Sequence, residues 1–218
     1  MFYRFCLYGA WIIWHTLYRF RVIGRENRPR QHGYILIANH VCATDVVFLL
    51  LARCSPRRPM VFAKEELFAS PLLSRVLRGM GAVPVSRGKG DRTLLEKAAA
   101  ALRAGRDVVI FPEGTRSRTG TLGVLKSGAF AVAAMADAPI VVCRILYENG
   151  RPQLFRRVRV AVGQTFSAAQ LGLNGADGAM PPASVLRRAK AICVRELERL
   201  ENENAPTVQK GARRKERA

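Results

Sequence analysis

Tyr34-Ile-Leu-Ile-Ala-Asn-His40-Val-Cys-Ala-Thr-Asp45-Val-Val-Phe-Leu-Leu50 sets a polar break between two apolar runs. The first run is short and β-branched, which suits a buried strand, and the second, entered at Asp45, suits a helix. The break holds a titratable pair five positions apart. In one continuous helix two such residues differ by about 140° around the axis and share no face. If His40 instead ends a strand and Asp45 sits in the first turn of the next helix, the chain can fold the carboxylate back on the imidazole. The pair then lies at the carboxyl end of a strand, where open α/β sheets place ligands.

The alternation continues outward from this unit. β-rich apolar runs stand at 34–38, 60–63, 82–85, 108–111, 140–146 and 158–162, with helix-like segments between several of them. Thr93-Leu-Leu-Glu96 has the spacing of a capping box, an alanine-rich run follows, and Gly105 stands where a helix stop belongs. The small apolar segment 127–136 suits a helix packed close to a sheet. Pro181-Pro182 precede a last helix from about Ser184, with Leu186, Ala189, Cys193, Leu197 and Leu200 on one face. Such alternation predicts a single α/β domain with a mixed, largely parallel sheet flanked by helices. The expected organisation is an N-terminal hydrophobic helix over 1–21, a domain over 22–204 and a basic disordered tail over 205–218.

Charge is the compositional outlier. The 218 residues carry 36 Lys+Arg against 16 Asp+Glu, a formal net charge of +20, with a pI near 11.1. That excess predicts an anionic partner: nucleic acid, an anionic membrane or an acidic carrier. Nucleic acid would explain the charge but not the apolar N-terminus, and neither an RRM-type RNP1 nor a C₂H₂ finger spacing is present. The five cysteines are odd in number and scattered, with no CxxC, so neither a disulfide framework nor a zinc site is expected.

Residues Phe5 to Tyr18 form 14 positions without a formal charge if His15 is neutral. As a helix they reach roughly 21 Å, against ~30 Å for a hydrocarbon core. Tyr3, Tyr8, Trp11, Trp14 and Tyr18 favour the headgroup level, and Arg19, Arg21, Arg25, Arg28 and Arg30 would hold the remainder of the chain on the cytoplasmic side. The expected element is a membrane-seated helix, spanning or lying in the interface; a buried core helix is the alternative.

Two further stretches carry chemistry. Phe111-Pro-Glu-Gly-Thr-Arg-Ser117 comes after a strand, and its glycine, hydroxyls and Arg116 offer backbone N–H groups and a guanidinium fork to a phosphate. Gly81-Ala-Val-Pro-Val-Ser-Arg87 again ends a strand with an arginine. A carboxylate behind His40 could fix its tautomer and stabilise its protonated form, which makes His40 a candidate general base. A capping aspartate with a satisfied core histidine, and a polar loop with solvated arginines, give the same spacings. No G-x-S-x-G elbow and no P-loop occur, and Cys42, two residues from His40, has poor geometry for a Cys-His nucleophile.

Taken in order, His40-x₄-Asp45, Gly81…Arg87, Phe111-Pro-Glu-Gly-Thr-Arg-Ser117 and Pro139-Ile140 resemble the glycerolipid acyltransferase family, closest to the 1-acylglycerol-3-phosphate O-acyltransferases. Gly24-x-Glu26-Asn27, Lys64-Glu-Glu-Leu67 and Lys126-Ser-Gly128 match between the blocks, and the resemblance runs from about Val22 to Val142. It implies a glycerol-3-phosphate acyltransferase-like fold and acyl transfer to a lysophospholipid hydroxyl. His40 is then the base and Asp45 its orienting partner. Arg87, Glu113, Gly114 and Thr115 bind the glycerol phosphate, with Arg116 added on charge grounds, and Pro139 belongs to the acyl pocket. Val142-Cys143 departs from the family's usual repeated proline. Acyl-CoA or an acidic acyl-carrier protein is implied as co-substrate, with no resident cofactor or metal, on the cytoplasmic face of an anionic membrane. The expected acceptor is 1-acylglycerol 3-phosphate; the alternatives are glycerol 3-phosphate, another lysophospholipid or a lyso-aminolipid as acceptor, or a non-enzymatic basic protein that binds lipid or nucleic acid.

Overall fold

The computed structural model describes residues 1–85, 92–174 and 180–204. Seven strands form one sheet in the order β1 (Arg19–Ile23), β7 (Arg157–Phe166), β6 (Ile140–Tyr147), β2 (Ile35–Ala38), β5 (Val108–Ile110), β3 (Met60–Lys64), β4 (Ala82–Val85). The five from β6 to β4 run parallel, with register Ile35↔Ile140 and Ile35↔Val108 across the centre. Strand β7 is antiparallel to β6, and β1 runs parallel to β7. The expected α/β domain with a mixed, mostly parallel sheet is what forms.

Helices cover both faces. On one lie α4 (Arg92–Arg103), α5 (Gly128–Ala136) and α6 (Ala183–Asn204), whose Leu186, Ala189, Cys193, Leu197 and Leu200 are all buried. On the other lie α1 (Phe2–Leu17) and α2 (Asp45–Arg53); α3 (Pro71–Gly79) leads into the edge strand β4. The buried strands β2, β5 and β6 read as unbroken apolar runs because both their faces are covered. Helix α4 stops as expected: Gly105 takes φ +71°, and Arg106 N–H reaches Ala101 O at 2.9 Å in a Schellman turn. The capping box at its other end is not used. Thr93 lies inside the helix, and Glu96 pairs with the Arg92 Nε at 2.8 Å instead.

The N-terminus differs most from expectation. The helix ends at Leu17, and Arg19-Phe-Arg-Val-Ile23 is an edge strand, so a boundary after residue 21 would cut through the sheet. Helix α1 also has two apolar faces. Tyr3 is buried, and Leu7, Ala10 and Trp14 pack inward against the α2 side of the core. Phe5, Tyr8, Trp11 and Ile12 face outward, Phe5 with 79% of its surface free. Among the described residues no helix is long and apolar enough to cross a membrane. The tail 205–218 lies outside the described residues.

Candidate active site

Strand β2 ends at Ala38, and Asn39 extends its pairing with side-chain atoms. Its Nδ2 donates to Ile145 O at 3.1 Å and its Oδ1 accepts from Ile145 N–H at 2.7 Å. This buried clamp on β6 delivers His40 to the carboxyl end of the parallel strands. A turn comes next, and Asp45 opens α2, where a carboxylate is favoured by the helix dipole.

His40 Nδ1 donates to Asp45 Oδ2 at 2.8 Å, and Nε2 bonds to none of the described residues. Since Nδ1 faces a carboxylate, it carries the hydrogen, and the Nε2 lone pair is open. The imidazole side chain keeps 17% of its surface exposed, while that of Asp45 has none. Oδ2 also accepts the Val41 and Cys42 N–H groups at 2.5 and 2.9 Å. Oδ1 accepts the Tyr147 hydroxyl and the Cys42 thiol, the latter at 3.1 Å. Burial by itself would raise the carboxyl pKa, but the bonds from His40, Tyr147 and Cys42 outweigh it and hold Asp45 below its ordinary range. Burial raises the Cys42 pKa, keeping a thiol in place of a thiolate, which argues against a cysteine nucleophile.

The loop after β5 grips His40 from the other side. The Phe111 ring stacks on the imidazole with centroids 4.1 Å apart and planes 19° from parallel. Glu113 is buried, with Oε1 accepting His40 N–H and Oε2 accepting Gly123 N–H, each at 2.8 Å. Ser117 N–H closes the grip on His40 O at 2.7 Å. Glu113 therefore braces two loops. Both its oxygens accept backbone N–H groups and its carboxylate does not favour a phosphate, so this placement gives no support to a direct phosphate contact. Gly114 turns the loop at φ +70°, and a Cβ there would lie 2.8 Å from the Lys126 Nζ, so the lysine passes close over the glycine. Thr115 and Arg116 are exposed beside it.

Not every expected residue joins this cluster. Arg87 lies outside the described residues. Pro139 stands at the opposite end of the sheet, where its carbonyl accepts from Ile35 N–H at 2.9 Å at the entry to β2. That placement gives no support to an acyl-pocket role. Sequence reading missed Asn39, the bracing role of Glu113, and Tyr147. The only local signal for Tyr147 is a polar-tipped ring closing an apolar run.

A family model described as Acyltransferase matches residues 19–146, more than half the chain and including every part of the site except Tyr147. The chain belongs to the acyltransferase family. Among individual acyltransferases, it is 32% identical over 139 residues to the 1-acyl-sn-glycerol-3-phosphate acyltransferase of Borreliella burgdorferi, covering 63% of this chain and 55% of that one. It is 27% identical over 169 residues to the Bacillus subtilis protein of that name, covering 77% and 83%. Thus the chain spans little more than half of the first relative's length. The crystal structure of the 1-acyl-sn-glycerophosphate acyltransferase of Thermotoga maritima superposes with a TM-score of 0.64 over 86% of this chain and 73% of that one. At 22% identity that likeness shows a shared fold.

Proposed function

We propose that this acyltransferase moves a fatty acyl group from a CoA or acyl-carrier-protein thioester to the free hydroxyl of 1-acylglycerol 3-phosphate. The observation that carries the chemistry is the His40–Asp45 pair with Nε2 open at the end of the parallel strands. The acceptor hydroxyl gives its proton to Nε2 as its oxygen attacks the thioester carbonyl. A carbon–oxygen bond forms, the carbon–sulfur bond breaks, and the leaving thiolate takes the proton from the imidazolium. Asp45 stabilises that imidazolium without taking its proton. A thioester is already activated, so no enzyme nucleophile is needed.

The choice of acceptor is supported by the relatives' names and by the cations around the turn at Gly114. Arg116 and Lys126 stand there, and Arg87 follows the edge strand β4 in sequence. A phosphate with two charges fits several such groups together with the backbone N–H groups of the turn. We assign Gly114, Thr115, Arg116 and Arg87 to the phosphate, with Glu113 as their brace.

We place the enzyme on an anionic membrane surface at its cytoplasmic face. The outward residues of α1 support this, as do Val124, Leu154 and Phe155, which are exposed on loops at the same end of the sheet as His40. The net charge of +20 favours anionic headgroups.

One panel tests the activity: the purified chain, acyl-CoA and acyl-carrier donors, several lysolipid acceptors and glycerol 3-phosphate, with products read by mass spectrometry. Phosphatidic acid is the expected main product. His40→Ala should lower the rate by at least about 100-fold, the usual scale of general-base catalysis, with the fold unchanged by circular dichroism. A His40→Ala protein keeping more than about a tenth of the rate would remove His40 from the chemistry.

A further inference from the structure

We propose that Tyr147 is a positioning residue for the His40–Asp45 pair: its buried phenol fixes the rotation of the Asp45 carboxylate so that Oδ2 stays on His40 Nδ1. The proposal rests on the general-base reading of His40.

The two oxygens of Asp45 are held unequally. Oδ2 collects three donors, His40 Nδ1 and the N–H groups of Val41 and Cys42. Oδ1 has the Tyr147 hydroxyl and the Cys42 thiol. A thiol is a weak donor, and Sγ also lies 2.8 Å from Thr44 Oγ1 and 3.5 Å from Tyr147 Oη, which compete for it. Among the described residues the phenol is thus the one strong donor on Oδ1. Without it, a charged oxygen sealed from water would be left with a weak partner, a costly arrangement in a buried site. The carboxylate relieves this by turning about its Cβ–Cγ bond, and that turn draws Oδ2 off the imidazole.

Tyr147 is itself held firmly. Its backbone is paired with Val158 of β7, and its ring meets the edge of Phe48 at 6.0 Å. Burial, reinforced by the Asp45 charge, pushes its pKa far above the ordinary phenol range, so it stays a donor and carries no proton through the reaction. Among the described residues, the other titratable groups facing the pair are Cys42 in the same turn and Glu113 from the loop after β5.

Tyr147→Phe deletes the hydroxyl and leaves the ring. Its kcat should fall about 10-fold, the order set by losing one charge-assisted hydrogen bond, with both KM values within about two-fold of wild type. With Oδ2 drawn off Nδ1, the imidazolium loses part of its counter-charge. The acid limb of the kcat/KM profile should therefore move down by about half a pH unit. Replacing residue 147 with 3,5-difluorotyrosine strengthens the donor and should move that limb the opposite way, which also keeps the test open should the phenylalanine variant fold poorly. A purely structural phenol would lower the melting temperature while leaving kcat per folded molecule and the pH limb where they are. That result, alongside an inactive His40→Ala, would overturn the proposal alone; an active His40→Ala would instead overturn the general-base reading beneath it.

Discussion

Asp45 shows what burial does to a single carboxylate. It has no exposed surface, yet its surrounding donors hold it ionised below the ordinary carboxyl range. A folded-state pKa below the unfolded one stabilises the fold above the unfolded value, near pH 4, and that contribution is lost as pH falls further. Asp45→Asn should remove it, so the decline in unfolding free energy from pH 5 to pH 3 should be shallower in the variant, as read by urea denaturation. The amide also cannot stabilise an imidazolium, and kcat should drop by about 100-fold or more. Equal acid sensitivity in the two proteins would mean the carboxylate is not held as described. At this scale the sequence was legible where partners are near in the chain. His40 and Asp45 are joined by one short turn, and their spacing forecast the contact. Asn39 with Ile145 and Asp45 with Tyr147 meet only because β2 and β6 adjoin, which no local pattern encodes.

Among elements, α2 has the most to hold in place. Its first residue is Asp45, and one turn on, Phe48 is wholly buried with its ring 5.1 to 6.2 Å from the rings of Trp14, Tyr18, Phe20 and Tyr147. This aromatic cluster joins α1, β1 and β6 to the helix that presents the carboxylate. Phe48→Ala should cost about 3–5 kcal/mol of stability by calorimetry and should also reduce kcat, because the helix start loses its seat. Unchanged activity per folded molecule would show that α2 is positioned by its turn alone. The same cluster explains why the end of the N-terminal helix was not legible in the sequence. Arg19-Phe-Arg-Val-Ile23 has the alternation of an edge strand, with Phe20 buried, but its arginines resemble the fringe of a membrane anchor. Likewise, Trp14 and Tyr18 suit a headgroup belt as well as a core, and packing against Phe48 decided their place.

For the molecule as a whole, the outward face of α1 and the positive charge should act together at a lipid surface. Phe5→Ser with Trp11→Ser removes two large exposed side chains and should weaken binding to phosphatidylglycerol vesicles by about 10-fold or more, with little change in melting temperature. Wild-type binding should loosen as salt rises above about 0.1 M, since exposed charges are screened over about 10 Å there. Cosedimentation measures both. Vesicle binding that ignores the double substitution would move the membrane contact elsewhere, with α1 serving the core only. Deleting the whole helix is a poorer test, because it strips Tyr3 and Trp14 from the core as well.

The pairing of β1 with β7 joins the 19th residue to the 157th. During translation at about 5–20 residues per second, Arg19 waits roughly 7–28 s before Arg157 is made. Strand β1 is thus made well before the strand that completes its pairing. Until then its edge is open, and α1 has only a partial core to lean on. A nascent chain in that condition benefits from an early resting place for its apolar helix, which ties the order of synthesis to the surface on which the finished enzyme is proposed to work.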